Sequence, residues 1–369
     1  MMKKLITAAI LAITAAALAN AHADDLTVSG FATITAGKAF DGWEGDFYTS
    51  RCPCYIGNYE HGAVYDKREL SLDKESLIGL QAKYKMTDKL SGTVQMVVRA
   101  SDPGKPDVDW AYLSYDVTPE TTVQVGRRRL PIYAYSDSVY IGYTLPWVRV
   151  PQDIYGWEVG AYNGVNVRHT TSVGDWAVTG NVFAGRESTH DNLEQKNIYY
   201  GYPVDDTWKG IVGGYLDATN DVFGFRVMYM QNKIDLTLHQ PGMDPVSSND
   251  TRQRILGLSA SMDYGNWLVR AEGNTFKRPS LDFDSTSWTV TTGYKWGKFT
   301  PIVGYSSYKE KITPIYTAAQ IDTTRFFGVR WDFTKNMDLK LQYDKVIDRS
   351  TYSFTNDSKM VTMSMDVVF

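Results

Sequence analysis

Apolar and polar side chains alternate along much of the chain, and the pattern is clearest at its end. The last residues, VTMSMDVVF, alternate up to the terminal Phe369, with Val368 as the one exception. A period of two is typical of a β-strand with one apolar and one polar face. Chain ends are usually polar and poorly ordered, so this pattern predicts that the last strand is paired.

The same alternation recurs in sixteen segments, each long enough to cross a membrane as a tilted strand. The predicted strands cover residues 26–40, 71–86, 90–101, 108–117, 121–132, 164–173, 175–187, 207–220, 221–236, 252–265, 266–277, 285–297, 298–310, 321–334, 337–351 and 358–369. Because one pattern fills the chain, we expect a single domain over residues 24–369.

Two kinds of connection alternate between these segments. Short connections are rich in Gly, Asn, Asp and Pro, which favour tight turns. They are residues 87–89, 118–120, 174–175, 220–221, 265–266, 297–298 and 335–336. The others are longer and polar, as in residues 41–70 and 188–206. Short turns at one end and long loops at the other predict an all-β antiparallel barrel.

Aromatic content and face polarity indicate where such a barrel would lie. The chain has 25 Tyr, 14 Phe and 10 Trp, yet beyond its first residues it lacks the run of about 18 apolar residues that a transmembrane helix needs. A soluble β-protein and a transmembrane β-barrel both remain open at this point. Aromatic residues such as Trp176 and Trp267 lie near predicted strand ends, and the opposite faces are polar. These features favour a transmembrane barrel with a water-filled lumen.

Residues 1–23 have the pattern of a secretory signal peptide. Lys3 and Lys4 precede an apolar run, and Ala21-His22-Ala23 supplies an A-x-A cleavage signature. A membrane-anchoring helix is the alternative, but the run is Ala-rich and short for a span. We therefore expect the mature protein to begin at Asp24, outside the cytoplasm.

The chain resembles the general porins of Gram-negative outer membranes over its whole predicted mature length. The resemblance rests on sixteen strands, alternating short turns and long loops, and the terminal MSMDVVF. It implies a homotrimeric outer-membrane channel for passive diffusion of small hydrophilic solutes and ions, set among outer-membrane lipid and lipopolysaccharide. It also implies that the barrel assembly machinery recognises the terminal Phe369.

A long aromatic connection, YAYSDSVYIGYTLPWVRVPQDIYG, follows the fifth predicted strand and covers residues 133–156. Its two prolines discourage a strand ladder. By resemblance this is the third loop of a porin, which folds into the barrel and narrows it. Asp137, Arg149 and Asp153 would then face the channel. An external loop that only covers the mouth is the alternative.

Strand parity assigns charged side chains to the lumen. The basic residues opposite the apolar faces are Lys83, Arg99, Arg168, Arg226, Arg270, Lys295, Arg330 and Lys340. Acidic candidates are fewer: Glu272, Asp332, Asp344 and Asp366. A narrow pore selects by the charge of its lining, so arginines facing Asp137 and Asp153 predict a weak preference for anions. Each arginine taken singly is also compatible with a solvated lumen side chain.

Three adjacent arginines, in the segment GRRRLP, lie near the end of the fifth predicted strand. By parity with Val123 and Val125, Arg128 points into the pore. Arg127 and Arg129 would then stand on the outer face, unless a β-bulge changes the register.

The two cysteines of the chain, Cys52 and Cys54, lie in the first long loop. An oxidising compartment permits a local disulfide, which is the interpretation we favour. A metal site is the alternative, but two thiolates provide half of a tetrahedral set and His61 does not complete it.

Other function classes find less support in the sequence. The net charge is −4, with 38 basic and 42 acidic residues, which argues against a nucleic-acid partner. Because the chain has no G-x-S-x-G, H-E-x-x-H or glycine-rich phosphate motif, we expect no enzyme, metal or cofactor. An outer-membrane barrel hydrolase is the alternative from another class. Within the channel class, the rival is a substrate-specific channel for a small, anionic nutrient.

Overall fold

The computed structural model describes residues 25–47, 50–66, 69–102, 105–314, 316–351 and 356–369. The predicted signal peptide, residues 1–23, lies outside the described residues. Twenty strands follow in chain order: β1 (Leu26–Gly42), β2 (Gly45–Phe47), β3 (Ser50–Cys52), β4 (Tyr55–Asn58), β5 (Ala63–Tyr65), β6 (Leu77–Lys85), β7 (Leu90–Arg99), β8 (Pro106–Asp116), β9 (Thr121–Arg129), β10 (Ala161–Val173), β11 (Trp176–Thr189), β12 (Val204–Thr219), β13 (Phe223–Leu238), β14 (Val246–Tyr264), β15 (Trp267–Arg278), β16 (Phe283–Tyr294), β17 (Phe299–Glu310), β18 (Ile321–Asp332), β19 (Met337–Asp348) and β20 (Ser358–Val368).

Sixteen of these strands form one closed antiparallel barrel in the part of the chain that the structure describes. Each barrel strand pairs with its sequence neighbours, and β1 closes the ring by pairing with both β6 and β20. The four short strands β2 to β5 form two small hairpins within the first loop. The predicted all-β barrel of about sixteen strands is confirmed.

In the part of the chain that the structure describes, helical structure is confined to four short segments. Three are 3-10 turns, at Ser136–Ser138, Gly142–Thr144 and Pro279–Leu281, and one is a π-helical turn at Gln195–Tyr200. Within the described ranges, no helix is long and apolar enough to cross a membrane.

All seven predicted tight turns join neighbouring barrel strands at one end of the barrel. Gly174, Gly265 and Gly297 have φ of +58°, +57° and +60°, a conformation that other L-residues rarely adopt. Aromatic side chains form a band on the outer surface at this end of the barrel. Within this band the rings of Phe299 and Trp331 stack, with centroids 5.9 Å apart. Such a girdle is typical of the membrane interface.

The boundaries of several strands differ from those that alternation predicted. β10 begins at Ala161 rather than 164, and β14 begins at Val246 rather than 252. Five of the six added residues of β14 are polar, and residues 246–250 are exposed on both faces, so this segment shows no alternation. β6 begins at Leu77 rather than 71, because the hydroxyl of Ser76 accepts the Thr35 N–H in place of a ladder bond.

The lumen is less uniformly polar than the sequence predicted. Met228, Met230, Ile255 and Phe276 all point inward and are buried, in a core that includes side chains of the third loop. The expectation of polar residues on every inward face was therefore wrong on this side of the barrel. Apolar side chains are tolerated there because the loop covers them and excludes water.

Candidate functional site

The third loop, here called loop 3 (residues 130–160), enters the barrel after β9 and returns to β10. Its two ends meet where the Leu130 N–H donates to the Gly160 carbonyl at 2.9 Å. Leu145, Trp147 and Ile154 are almost fully buried against the wall. The Trp147 Nε1–H donates to the Thr291 hydroxyl on β16 at 2.9 Å. Loop 3 therefore lies inside the lumen and does not merely cover its mouth.

Arg149 fastens loop 3 to one wall of the barrel. Its guanidinium donates to both carboxylate oxygens of Glu75, at 2.7 and 2.6 Å. It also reaches Asp344 on β19 at 3.1 Å and Thr362 on β20 at 2.7 Å. The side chain is 5% exposed, so Arg149 is an anchor and offers little charge to a passing solute.

Asp153 also faces the wall. It accepts hydrogen bonds from the hydroxyls of Ser306 at 2.5 Å and Thr324 at 3.2 Å, on β17 and β18. The sequence placed Asp153 on the channel side of loop 3, opposite the basic wall. The structure instead directs it away from the open passage, because two wall hydroxyls satisfy its carboxylate.

Glu272 and Arg226 hold the start of loop 3. The Glu272 carboxylate accepts the Ala134 N–H at 2.7 Å and the Tyr155 hydroxyl at 2.6 Å. Arg226 donates to the Tyr133 carbonyl at 3.0 Å and pairs with Asp217 through two bonds of 2.6 and 2.7 Å. Both side chains are inward, as predicted, but both form their hydrogen bonds with protein groups.

Arg330 and Lys340 bind backbone carbonyls of the same loop. Arg330 donates to the carbonyls of Tyr143 and Leu145 at 2.7 and 3.0 Å. Lys340, which is 2% exposed, donates to the Gly142 carbonyl at 2.6 Å. Their carboxylate partners are Asp332 (2.7 Å from Arg330) and Asp366 (3.0 Å from Lys340). These inward cations therefore hold loop 3 in place, and the adjacent carboxylates neutralise their charge.

A second buried cluster joins the first loop, here called loop 1 (residues 43–76), to loop 3. Arg129 is 2.7 Å from Glu60, and the Tyr140 hydroxyl donates to the same carboxylate at 2.6 Å. The Arg99 guanidinium lies 4.1 Å from the centroid of the Tyr140 ring and pairs with Asp109 at 3.4 Å. Arg99 is inward as predicted, yet buried in this cluster.

Arg129 is not on the outer face, so that part of the parity prediction was wrong. The ladder between β8 and β9 ends at the pair Ala111 and Arg127, and Gly126 has φ of +136°. Beyond this point the β9 side chains no longer follow strand alternation, and Arg129 turns to Glu60. Arg127 instead reaches Glu187 on β11 at 2.7 Å.

Electrostatics in the loop 1 cluster favour a neutral histidine beside an ionised glutamate. The His61 ring nitrogen Nε2 is 2.8 Å from the Tyr140 hydroxyl. Burial and the nearby charge of Arg99 lower the pKa of His61 to about 3. Burial alone would raise the pKa of Glu60, but Arg129 beside it holds that pKa well below its ordinary value.

Arg128 and Asp137 form an ion pair between β9 and loop 3. Arg128 lies 3.4 Å from the Asp137 carboxylate, which is 53% exposed at the tip of loop 3. The Arg128 guanidinium also stands 4.9 Å from the Tyr112 ring on β8. Of the loop 3 acids named from the sequence, Asp137 is the one that the structure leaves accessible to a solute.

Two further arginines lie lower in the lumen. Arg168 is exposed on the inward face of β10, and within the described ranges it has no ion-pair partner. Arg270 pairs with Asp263 at 2.7 Å, and Lys295 pairs with the same carboxylate at 3.2 Å. Free positive charge in the lumen therefore rests with few of the predicted residues.

Sequence reasoning missed most of the carboxylates that neutralise these cations. Asp217, Asp263, Asp109 and Asp338 were not assigned to the lumen, Glu60 was left in an external loop, and Glu75 fell in the predicted strand over residues 71–86 without a lumen assignment. The strand aspartates lie next to their arginines on the neighbouring strand or turn, a cross-strand signal that strand pairing would have revealed. Nothing in the sequence of loop 1 indicates that it reaches into the barrel.

Loop 1 is braced by the cysteines. Cys52 and Cys54 are joined in a disulfide with a Cα–Cα distance of 4.2 Å. Both are buried in a small apolar cluster that includes Ile198, from the loop between β11 and β12. No group of three His, Cys, Asp or Glu among the described residues is placed to hold a metal ion.

The terminal residue lies at the seam of the barrel. Phe369 exchanges two backbone hydrogen bonds with Gly30 on β1, at 2.8 and 2.9 Å. A Cβ at Gly30 would come within 2.5 Å of the Phe369 ring, so the absence of a side chain there makes room for it. The last residue thus closes the sheet and is not frayed.

Comparison with known proteins identifies the family. The family model described as Gram-negative porin matches residues 7–351. The chain belongs to the Gram-negative porins. No curated protein matches the sequence.

Solved structures share the fold of this porin at low sequence identity. OmpT of Vibrio cholerae, in a trimer form, has 12% identity and a TM-score of 0.56, covering 94% of this chain and 100% of that one. The channel DcaP of Acinetobacter baumannii has 12% identity and a TM-score of 0.59, covering 94% and 97%. An anion-selective porin from Comamonas acidovorans has 14% identity and a TM-score of 0.56, covering 93% and 99%. Family and fold together make this chain a diffusion channel of the Gram-negative outer membrane.

Proposed function

We propose that small hydrophilic solutes and ions cross this porin past Arg128 on β9 and Asp137 on loop 3, with a weak preference for anions. Loop 3 packs into a dry core with side chains of β10 to β18, whereas Asp137 is 53% exposed beside Arg128, so the passage lies on the side of this pair. Arg168 and Lys83 are inward, and neither has an ion-pair partner among the described residues. These two unneutralised cations, set against the single inward and exposed carboxylate of Asp116 that also lacks an ion pair in the described ranges, are the observation that carries the anion preference.

The preference should be weak because the other lumen arginines are paired. Arg226, Arg270 and Arg330 each lie within 2.7 Å of an aspartate oxygen. A cation next to a carboxylate contributes little net potential to a solute passing at a larger distance. The Comamonas acidovorans porin, a structural neighbour, is anion-selective, which agrees with this direction.

A channel for a specific small nutrient is the second candidate. One observation favours it: a cavity of about 220 Å³ lies beside loop 3, lined by Tyr135, Trp147, Arg226, Arg270 and Glu272 among others. Aromatic and charged side chains together suit a polar solute that also has an apolar face. Conductance that saturates with one solute, and not with others of similar size, would favour this function.

We also propose that the porin assembles as a homotrimer through the outer faces of β6 to β9. Ala82, Gly92 and Ala111 are small and line an apolar groove on that surface, next to Leu113 and Val125. Small outward residues let a neighbouring barrel approach closely. The existence of a trimer form of Vibrio cholerae OmpT, a structural neighbour, supports the trimeric state.

We infer that the chain carries no catalytic activity and needs no cofactor. The histidines of the described loops and strands are engaged in structural contacts: His61 with Tyr140, His169 with Thr121, and both His190 and His239 with Asp205. Hydrolysis of lipid or peptide by the purified barrel, lost on His169→Gln, would contradict this proposal.

Planar-bilayer recording tests the channel. Purified porin should insert in units of three equal conductance steps and show a reversal potential on the anion side under a salt gradient. Absence of conductance would contradict the diffusion function, and a clear cation preference would contradict the charge argument.

A further inference from the structure

Two buried carboxylates on the long-loop side of the barrel lack a compensating partner among the described residues. Asp206, on the inward face of β12, is fully buried, and neither of its carboxylate oxygens has a hydrogen-bond partner. Glu194 lies in the loop between β11 and β12, here called loop 4 (residues 190–203). It is 2% exposed, and its Oε2 also has no partner. Because buried polar groups are almost always hydrogen-bonded, these two acids require an explanation.

The charges around the two acids are mostly negative. Glu158, near the end of loop 3, is buried and lies close enough to both Glu194 and Asp206 to repel each of them. Arg278, on β15, is the cation that faces all three acids. It donates hydrogen bonds to Glu158 and, at 2.8 Å, to Gln253. One guanidinium therefore faces three carboxylates and is already engaged by one of them.

The other titratable neighbours do not supply the missing positive charge. Glu60 of loop 1 also faces the acid of loop 4, and Arg129 neutralises it at 2.7 Å. Asp235 of β13 faces the acid of β12, but it pairs with Lys209 at 2.6 Å. Tyrosines also surround the acid of loop 4: Tyr59, Tyr133 and Tyr199. Since no three acids of the described chain are placed to share a metal ion, a proton is the remaining means of neutralising this pair.

Loop 4 crosses the mouth of the barrel to reach loop 1. In the ring of sixteen strands, β12 lies seven places from β1, where loop 1 begins. Ile198 of loop 4 is nevertheless fully buried against the disulfide of loop 1. The Asn197 side chain donates to the Gly62 carbonyl at 3.3 Å, and that of Asn192 donates to the Glu158 carbonyl at 2.8 Å. Loop 4 is therefore docked on both loop 1 and loop 3.

Docking of loop 4 is linked to the uptake of a proton. Burial, together with the negative charges of Glu158 and Glu60, raises the pKa of Glu194 well above its ordinary value. In an undocked loop the same side chain would meet water and lose its proton near that ordinary value, about 4.5. Because the docked state holds the proton more tightly, docking is strongest in acid and weakens as the pH rises toward the raised pKa.

We propose that loop 4 is a proton-dependent latch over the channel mouth, docked while Glu194 and Asp206 are neutral and released when they ionise. Ionisation would place three carboxylates against one guanidinium in a buried position, where uncompensated charge is costly. Movement of loop 4 relieves this cost by carrying Glu194 into water. Because loop 4 crosses the mouth, its release widens the entrance to the passage. The latch goes beyond the proposed anion preference, since it controls access to the channel and not selectivity within it.

The test compares full-length porins in detergent between pH 7 and pH 9.5. This range lies above the ordinary pKa of histidine, about 6.5, so histidine titration does not contribute to the result. Glu194→Gln with Asp206→Asn preserves the shapes of both side chains and keeps them neutral at every pH. The matched control, Asp244→Asn, removes an exposed carboxylate from the loop between β13 and β14.

Trypsin cleavage after Lys196 reports the release of loop 4, because this residue lies between Glu194 and the buried Ile198. Its ion pair is with Asp191, at 2.7 Å, and all the variants retain it. Each rate is divided by that of a free peptide with the sequence of loop 4, which corrects for the pH dependence of trypsin. In the parent and in the control, cleavage should accelerate at least tenfold from pH 7 to pH 9.5. The double variant should be cleaved slowly at both values.

A cleavage rate in the parent that does not change with pH would overturn the proposal, as would an equal acceleration in the double variant. If the double variant does not fold, Glu194→Gln alone provides the test. Its acceleration should be clearly smaller than that of the parent, and an undiminished acceleration would also overturn the latch.

Planar-bilayer recording separates the latch from the channel function. The single-channel conductance of the parent should increase from pH 7 to pH 9.5, whereas that of the double variant should not. Constant conductance in a parent whose loop 4 is released would overturn the assignment of loop 4 as a cover of the mouth. A parent that conducts at no pH would contradict the proposed channel, and the cleavage rates would still decide whether loop 4 responds to protons.

Discussion

Arg149 and Glu75 are joined by two parallel hydrogen bonds, at 2.7 and 2.6 Å, although one lies on loop 3 and the other at the end of loop 1. The same guanidinium reaches Asp344 on the wall at 3.1 Å. One cation therefore ties two loops and a strand together, with its charge compensated by two carboxylates.

Replacing Arg149 should destabilise the barrel more than replacing any arginine exposed in its lumen. Arg149→Gln leaves Glu75 and Asp344 buried without a counter-charge, which typically costs about 3–5 kcal/mol. Unfolding in detergent, followed by gel mobility or tryptophan fluorescence, measures the loss. Arg168→Gln is the matched control and should change stability by less than about 0.5 kcal/mol. Similar stabilities of the two variants would show that Arg149 is not an anchor.

Alternation predicted the barrel well because each strand has one face in lipid. Trp288, Tyr294 and Phe327 lie outward as their parity required, and this face allows few exceptions. The inward face is not restricted to one kind of side chain in this way. Met230 and Phe276 can point inward because loop 3 covers them. The local sequence around these residues does not indicate that a distant segment of the chain will pack over them.

The same reason explains why the candidate site was only partly predicted. Parity located the lumen arginines, but it could not show that Arg226 and Arg330 would be occupied by loop 3 carbonyls. Asp153 was assigned to the channel because loop residues have no parity. Which side chains of a loop are exposed to water depends on the part of the barrel wall against which the loop packs.

Selectivity should respond to Arg128, Arg168 and Asp137, the charged side chains that we assign to the passage. Arg128→Gln with Arg168→Gln removes two cations that face the solute, so the reversal potential under a salt gradient should move toward cations. Asp137→Asn removes the exposed carboxylate of loop 3 and should move it toward anions. Lys89→Gln, on a tight turn outside the passage, serves as the control. An unchanged reversal potential in the first two variants would exclude these residues from the constriction.

The disulfide should stabilise loop 1 more than it stabilises the barrel. A bridge that closes so short a segment restricts the unfolded chain little, so Cys52→Ser with Cys54→Ser should cost on the order of 1–2 kcal/mol. Locally, the buried contact of this segment with Ile198 should loosen, which exposes the bond after Arg51 to trypsin. Limited proteolysis and thermal unfolding report the two effects separately. Unaltered trypsin resistance in the variant would show that packing alone holds loop 1.

Phe369 is expected to act in assembly as well as in closure. Phe369→Ala removes the ring that lies over Gly30 but keeps the backbone bonds at the seam. If the ring is mainly an assembly signal, outer-membrane yield should fall several-fold while refolding into detergent proceeds at the parental rate. Refolding that slows in proportion to the yield would instead assign the ring a structural role.

Acid should weaken loop 1 through His61. Burial and Arg99 lower the pKa of His61 to about 3, whereas the unfolded chain takes up this proton near the ordinary value of about 6.5. Between these values the unfolded state binds more protons, so the stability contribution is present above pH 6.5 and is lost as the pH falls.

The neighbouring Glu60 affects stability in a different pH range from His61. Arg129 depresses the pKa of Glu60 against the effect of burial, so its own contribution is lost only below its ordinary value of about 4.5. From pH 6.5 to 4.5 the difference between parent and His61→Gln therefore reports on His61, since glutamine retains a hydrogen-bonding partner for Tyr140 and does not titrate. Parent and variant should have the same stability to unfolding at pH 7.5. As the pH is lowered toward 5, the parent should become progressively less stable than the variant. His169→Gln, altered on the outward face of β10 near the tight-turn end and away from loop 1, should not reproduce that gain in acid resistance. A constant offset between parent and His61→Gln across this range would mean that His61 is protonated in the folded barrel, and that the contact with Tyr140 does not hold it neutral.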